Sequence, residues 1–196
     1  MALIAKEGGG GTFESVTEGL HPATCIALID LGDQYSEMYD KSSHKAILMF
    51  EVHDEAITID GEDKPKWISK EYTLSLSEKA NLRKDLESWR GRKFTKEELD
   101  GFDVKNILSK PCQIQVLHNE KKYANIASIV SWPKGMPAPE IKSELLYYEI
   151  HDEKAFAKIP EWIQKKIKES ETWKSISDFA PIDDDTPDFL KPSEVY

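Results

Sequence analysis

Two nine-residue runs constrain this chain most: ATCIALIDL over 23–31 and KAILMFEVH over 45–53. Each has strand length, and the density of large apolar groups in the second places it at the centre of a sheet. Gly19, His21 and Pro22 mark a turn ahead of the first run, and the polar stretch 32–43, with Tyr35 and Tyr39, reads as a loop between the two. Neither run approaches the ~18 consecutive apolar residues of a membrane span. Five Trp, seven Tyr and seven Phe are more than a disordered chain carries, so a packed core is expected.

The remaining elements follow from local signals. Residues 56–59 extend the second strand past a bulge or join the loop that ends in the turn 60–63, and residues 67–76 (WISKEYTLSL) form a third strand. Ser77 is the expected N-cap of a helix over 78–90, where Leu82, Leu86 and Trp89 share one face and Gly91 stops the run. Thr95 and Glu98 make a capping box, with Phe94 and Leu99 at the staple positions, and Asp103 starts a further turn. Residues 111–118 and 122–132 are two strands joined across 119–121, and Pro133, Pro137 and Pro139 end the sheet. Beyond them lie an edge strand over 145–150 and a short helix over 156–168.

This order defines a mainly β fold with helical insertions: three strands, a helix, then two more strands. It is the order of an OB-fold-like five-stranded barrel with its helix between strands 3 and 4, although a small α+β domain has much the same order. The expected organisation is a flexible glycine-rich leader over 1–12, a domain over 13–176 with a C-terminal helical extension, and a disordered acidic tail over 177–196.

Signals for bond-making chemistry are absent. The five histidines have no zinc-site spacing, Cys25 and Cys112 lie in strand patterns, and neither a nucleophile elbow nor a phosphate loop is present. The reading is therefore a non-enzyme with no metal and no cofactor. Two cysteines without a basic-then-apolar leader point to the cytoplasm, with no membrane partner.

The net charge of -10 disfavours a polyanionic ligand, but the charge is uneven. Residues 1–63 carry -10, residues 64–96 carry +6, and residues 178–196 carry -5. In the basic stretch, aromatic and cationic residues interleave, the two ingredients of single-stranded nucleic acid binding, with stacking at ~1–3 kcal/mol per base. The candidate contacts are Lys66, Trp67, Lys70, Tyr72, Lys79, Arg83, Lys84, Arg90, Arg92 and Lys93, joined by Lys122 and Tyr123 from the later hairpin. Trp89 completes the helical stripe and belongs to the core, whereas Trp67 and Tyr72 point to opposite faces of a regular strand.

The segment 72–135 resembles a family of bacteriophage OB-fold single-stranded DNA-binding proteins encoded in replication or recombination modules. The resemblance rests on YTLSLSEK (72–79), LRKDLESWRGR (82–92), Phe94 and Gly101-Phe102-Asp103, with TEGLHPA (17–23) entering the first strand. Ser109 departs from the pattern, which has a glycine ahead of Lys110-Pro111. The resemblance implies sequence-independent binding of single-stranded DNA in phage replication or recombination. It also implies a tail, carrying Asp183, Asp184, Asp185, Asp188, Phe189, Glu194, Val195 and Tyr196, that recruits replication or recombination proteins of phage or host. The alternative is an adaptor or inhibitor that binds another protein, including an acidic DNA mimic, with the basic stretch spent on local salt bridges.

Overall fold

The computed structural model describes residues 15–59 and 61–179. Strands β1 (Gly19–Ser36) and β2 (Lys41–Ile59) form a long antiparallel pair, to which β3 (Glu62–Thr73) adds on the β2 side. On the other side β4 (Pro111–His118) pairs with Gly19–Thr24 of β1, and β5 (Ala124–Ser131) pairs with β4. Helices α1 (Asn81–Arg90) and α2 (Lys96–Asp100) and a 3-10 turn (Val104–Ile107) connect β3 to β4. A short strand, β6 (Leu146–Tyr148), then runs parallel to β1 at Ala27–Ile29. Among the described residues three helices follow: α3 (Glu153–Phe156), α4 (Glu161–Glu169) and α5 (Glu171–Phe179).

The closed five-stranded barrel does not form. The sheet is open, with order β3-β2-β1-β4-β5, and β3 and β5 are its two ends, with no ladder between them. The molecule is a mixed α/β fold, close to the α+β alternative that element order had left open. Closure by hydrogen bonds is replaced by closure with side chains: Leu82, Leu86 and Trp89 of α1 enter the core on one face of the sheet. There the Trp89 ring meets Phe50 at 5.7 Å and its indole N–H donates to the Pro111 carbonyl at 2.9 Å. The resemblance to the phage OB-fold family falls with the barrel, and with it the phage, replication and recombination setting.

Two apolar clusters lie on opposite faces of β1–β2. Cys25, Leu28, Phe50 and Val52 pack inward with α1 and β4, while Ile29, Leu31, Ile47 and Met49 pack outward against Tyr148, Phe156, Ile163, Ile167 and Trp173. A strand buried on both faces has no need to alternate, which is why 23–31 and 45–53 are apolar almost throughout. Register shifts between Cys25 and Ala27 and between Asp30 and Gly32 bend β1, so its first part serves β4 and its later part β6.

The stretch 32–43 is not a loop. Gly32 pairs with Lys45 and Ser36 with Lys41, so the ladder runs out as a polar ribbon. Ser77 is not the cap of α1 either, since Ala80 holds that position without a side-chain bond. The Thr95–Glu98 capping box is present in both directions, and Gly91 ends α1 at φ 67°. Ser109, where a glycine was expected, has φ 62°, in the left-handed region.

Gly32 also fixes the approach of the C-terminal layer. It has φ +68°, and a Cβ there lies 2.7 Å from Ile150 Cδ1 and 3.0 Å from both Ser170 Oγ and Thr172 Cβ. Gly61, at φ +82°, faces open space. Gly32→Ala is expected to lose about 2–4 kcal/mol in urea unfolding, strain plus overpacking, and Gly61→Ala about 1 kcal/mol from strain alone. Equal losses at the two positions count against close packing at Gly32.

Candidate functional site

Of the twelve residues expected to contact DNA, five cations are held in ion pairs within the chain. Lys66 is buried near the end of the sheet, its ammonium donating to Glu55 at 3.0 Å and to the Ser15 carbonyl at 3.2 Å. Trp67 is 48% exposed, and its indole N–H is held by Ser143 Oγ at 2.9 Å. Lys70 and Tyr72 both donate to Asp85, each at 2.7 Å. Tyr72 is only 3% exposed, and burial, followed by Asp85, pushes its phenol far above the ordinary range.

On and after α1 the pattern is the same. Arg83 donates to Glu87 at 3.0 Å and to the Leu76 carbonyl at 3.2 Å. Arg90 lies against the rings of Phe94, at 4.4 Å, and Phe102, at 5.2 Å, and binds Glu98. Arg92 reaches the same carboxylate at 2.7 Å. The Arg92 bond, then the Thr95 N–H and Arg90, hold the Glu98 carboxyl down at about 2. Lys79, Lys84 and Lys93 are exposed, with no salt bridge among the described residues. Lys122, at φ 62°, and Tyr123, 65% exposed, sit on the β4–β5 turn. The tail positions from Asp183 to Tyr196 lie outside the described residues.

The end of the sheet holds a polar network that no sequence signal marked. His21 is buried, with Nδ1 3.1 Å from both Asp54 oxygens and Nε2 3.0 Å from the Thr17 carbonyl. Glu55 accepts from the Thr17 N–H and hydroxyl, and the His118 ring meets the Val16 carbonyl at 2.8 Å. Together these bonds fasten 15–18 across the sheet end. They grow from an irregularity in β2, whose register with β3 skips His53, Asp54 and Glu55. Next to it, Glu51 is 0% exposed and accepts the N–H groups of Lys142, at 3.0 Å, and Ser143, at 2.7 Å. Thr24 Oγ1 lies 2.8 Å from His53 Nε2, and His53 Nδ1 lies 3.4 Å from Glu51. The order hydroxyl, imidazole, carboxylate is that of an activated nucleophile. Thr24, however, is buried between two paired strands, out of reach of a substrate.

A second feature is a cleft of about 230 Å³ beside β6. Leu28, Leu74, Phe102 and Tyr147 give it apolar walls, and Asp30, Asp103, Lys105 and Glu149 supply its charges. Five separate stretches of chain contribute, so no local pattern marks it; Leu28 and Asp30, two apart on β1, are a periodic trace of it, and Glu149 directly follows β6. Among the described residues no group of three His, Cys, Asp or Glu is placed to hold a metal ion, and no helix is long and apolar enough to cross a membrane. No protein-family model matches the chain, and no curated protein matches it.

Burial holds the His53 imidazole below its ordinary value, against the pull of Glu51 and Asp54. The unfolded chain therefore takes up this proton first as pH falls: the contribution is full above about 6.5 and is lost below it. In urea unfolding the stability of the wild type relative to His53→Gln is expected to fall between pH 7.5 and 5.5. A difference that stays flat or grows toward acid contradicts a neutral buried ring.

Proposed function

We propose that this chain is a non-enzymatic, cytoplasmic protein-binding adaptor or inhibitor. The observation that carries the reading is the internal neutralisation of the basic stretch. Lys66, Lys70, Arg83, Arg90 and Arg92 all end on carboxylates of the same chain at Glu55, Asp85, Glu87 and Glu98. A cation already bonded to a carboxylate releases no counterion from a phosphate backbone unless that bond is broken. The cytoplasmic setting draws its support from Cys25 and Cys112, both free and buried.

A second reading, sequence-independent binding of single-stranded DNA, keeps one specific support. Lys79, Lys84 and Lys93 are exposed, and Trp67 and Tyr123 offer accessible rings. These groups come from separate stretches of chain: β3 (Trp67), α1 and its flanks (Lys79, Lys84 and Lys93) and the β4–β5 turn (Tyr123).

Fluorescence anisotropy separates the two. The full chain is titrated against labelled oligo-dT at low and moderate salt, and against labelled peptides of basic, acidic and apolar composition. The adaptor reading expects saturable binding to one peptide class and none to oligo-dT at micromolar protein. Saturable oligo-dT binding that weakens steeply with salt, with no peptide bound, overturns it and establishes the second reading.

A further inference from the structure

We propose that the cleft beside β6 is a docking site for an arginine side chain in a basic segment of a partner protein; this rests on the adaptor reading above and names its partner class. Size is the first argument. At about 230 Å³ the cleft is smaller than the ~300–1,000 Å³ of sites for whole small molecules, and it suits a single side chain.

Charge is the second. Three carboxylates, from Asp30, Asp103 and Glu149, border the cleft beside the phenol of Tyr147. Glu149 accepts the Tyr147 hydroxyl, and this bond, with burial and then the charges of Glu149, Asp103 and Asp30, pushes the phenol up to about 12. Each carboxylate uses one oxygen internally: Asp30 for His44 and the Gly32 N–H, Asp103 for the Lys105 N–H, Glu149 for Tyr147. Among the described residues the second oxygen of each has no hydrogen-bond partner.

The third argument is a cation already seated there. The Lys105 ammonium lies 4.0 Å from the centre of the Tyr147 ring, with no carboxylate within salt-bridge reach among the described residues. It marks where a positive charge is stabilised, yet it is the end of an exposed and flexible side chain. A guanidinium is flat and can stack on the same ring. Its fork of N–H donors can serve two carboxylates at once, which one ammonium does less well. Tyr148 borders the cleft as well, and its buried hydroxyl has no hydrogen-bond partner. An anionic ligand is disfavoured, because the three carboxylates repel a phosphate at the mouth.

The test uses the full chain and three labelled Gly/Ser peptides, identical except that they carry arginine, lysine or citrulline. The arginine peptide is expected to bind most tightly and the uncharged citrulline peptide at least about tenfold more weakly. Asp103→Asn combined with Glu149→Gln is expected to weaken arginine-peptide binding about tenfold. The control pair Glu62→Gln with Asp63→Asn, at the start of β3, should leave it unchanged. Lys105→Ala removes the ammonium seated over the Tyr147 ring and is expected to tighten binding several-fold. Equal binding of the citrulline peptide, or equal weakening by the cleft and control pairs, overturns the proposal. If another peptide class binds and the cleft variants leave that binding unchanged, the site fails while the adaptor reading stands; if no peptide binds, both fail.

Discussion

Burial of β1 and β2 on both faces governs the rest of the architecture. A strand pair with one apolar face needs one covering layer, whereas this pair needs two. The inner layer comes from α1 and the turn that follows it, and the outer layer from side chains between Ile141 and Ile176. The chain must therefore cross from one side of the sheet to the other after Ser131, and Glu51 holds it on the outer side by accepting two consecutive backbone N–H groups at 142 and 143. A fully buried carboxylate is costly unless its lone pairs are used, and here the crossing chain uses them. Glu71 repeats the device further along, taking Lys45 from β2 and Lys166 from α4. Burial would raise the Glu71 carboxyl, but the two ammonium groups outweigh it and hold it below the usual range.

The cleft is a consequence of that crossing. Once 142–143 is anchored, β6 falls parallel to Ala27–Ile29 of β1, and Tyr147 and Glu149 are carried to the inner side beside Phe102 and Asp103. The same step sends Tyr148, the next residue, into the outer core with Phe156 at 5.8 Å. The three-residue strand thus gives Leu146 and Tyr148 to the outer core and Tyr147 to the inner side, the ordinary result of a period of two.

Elements closed by neighbouring residues were legible in the sequence, and those closed at a distance were not. β4 has the bounds its pattern predicts, and the Thr95–Glu98 box, the Leu82/Leu86/Trp89 stripe and the Gly91 stop are all in place. Each depends on residues within about two helical turns or one strand of each other. The ribbon formed by 32–36 and 41–45 was missed because its side chains are polar and only its pairing makes it a strand. Closure of the sheet was missed for the same reason: element order specifies which strands exist, but not whether β3 and β5 exchange hydrogen bonds across a space that α1 fills with Leu82, Leu86 and Trp89. Ser109 shows the limit in one residue, since its left-handed backbone is what the missing glycine had implied, whereas the family inference drawn from the same stretch fails.

The basic stretch shows why charge counted along a chain is weak evidence for a ligand. Arg83 and Glu87 are four apart on a helix, so that pair could be read directly, and Arg90, Arg92 and Glu98 are nearly as local. Lys66 and Lys70 differ: their partners, Glu55 and Asp85, stand 11 and 15 residues away on other elements. Asp85 in particular is set on α1 so that it meets both Lys70 and the Tyr72 hydroxyl, which turns two expected DNA contacts into one internal joint between helix and sheet. The surplus of +6 over 64–96 is thus partly balanced by carboxylates from outside that window, Glu55 on one side and Glu98 on the other. What a partner meets is the charge left after these pairings. By that measure the carboxylates around Tyr147 stand out: Asp103 and Glu149 form no salt bridge among the described residues, and Asp30 meets only His44.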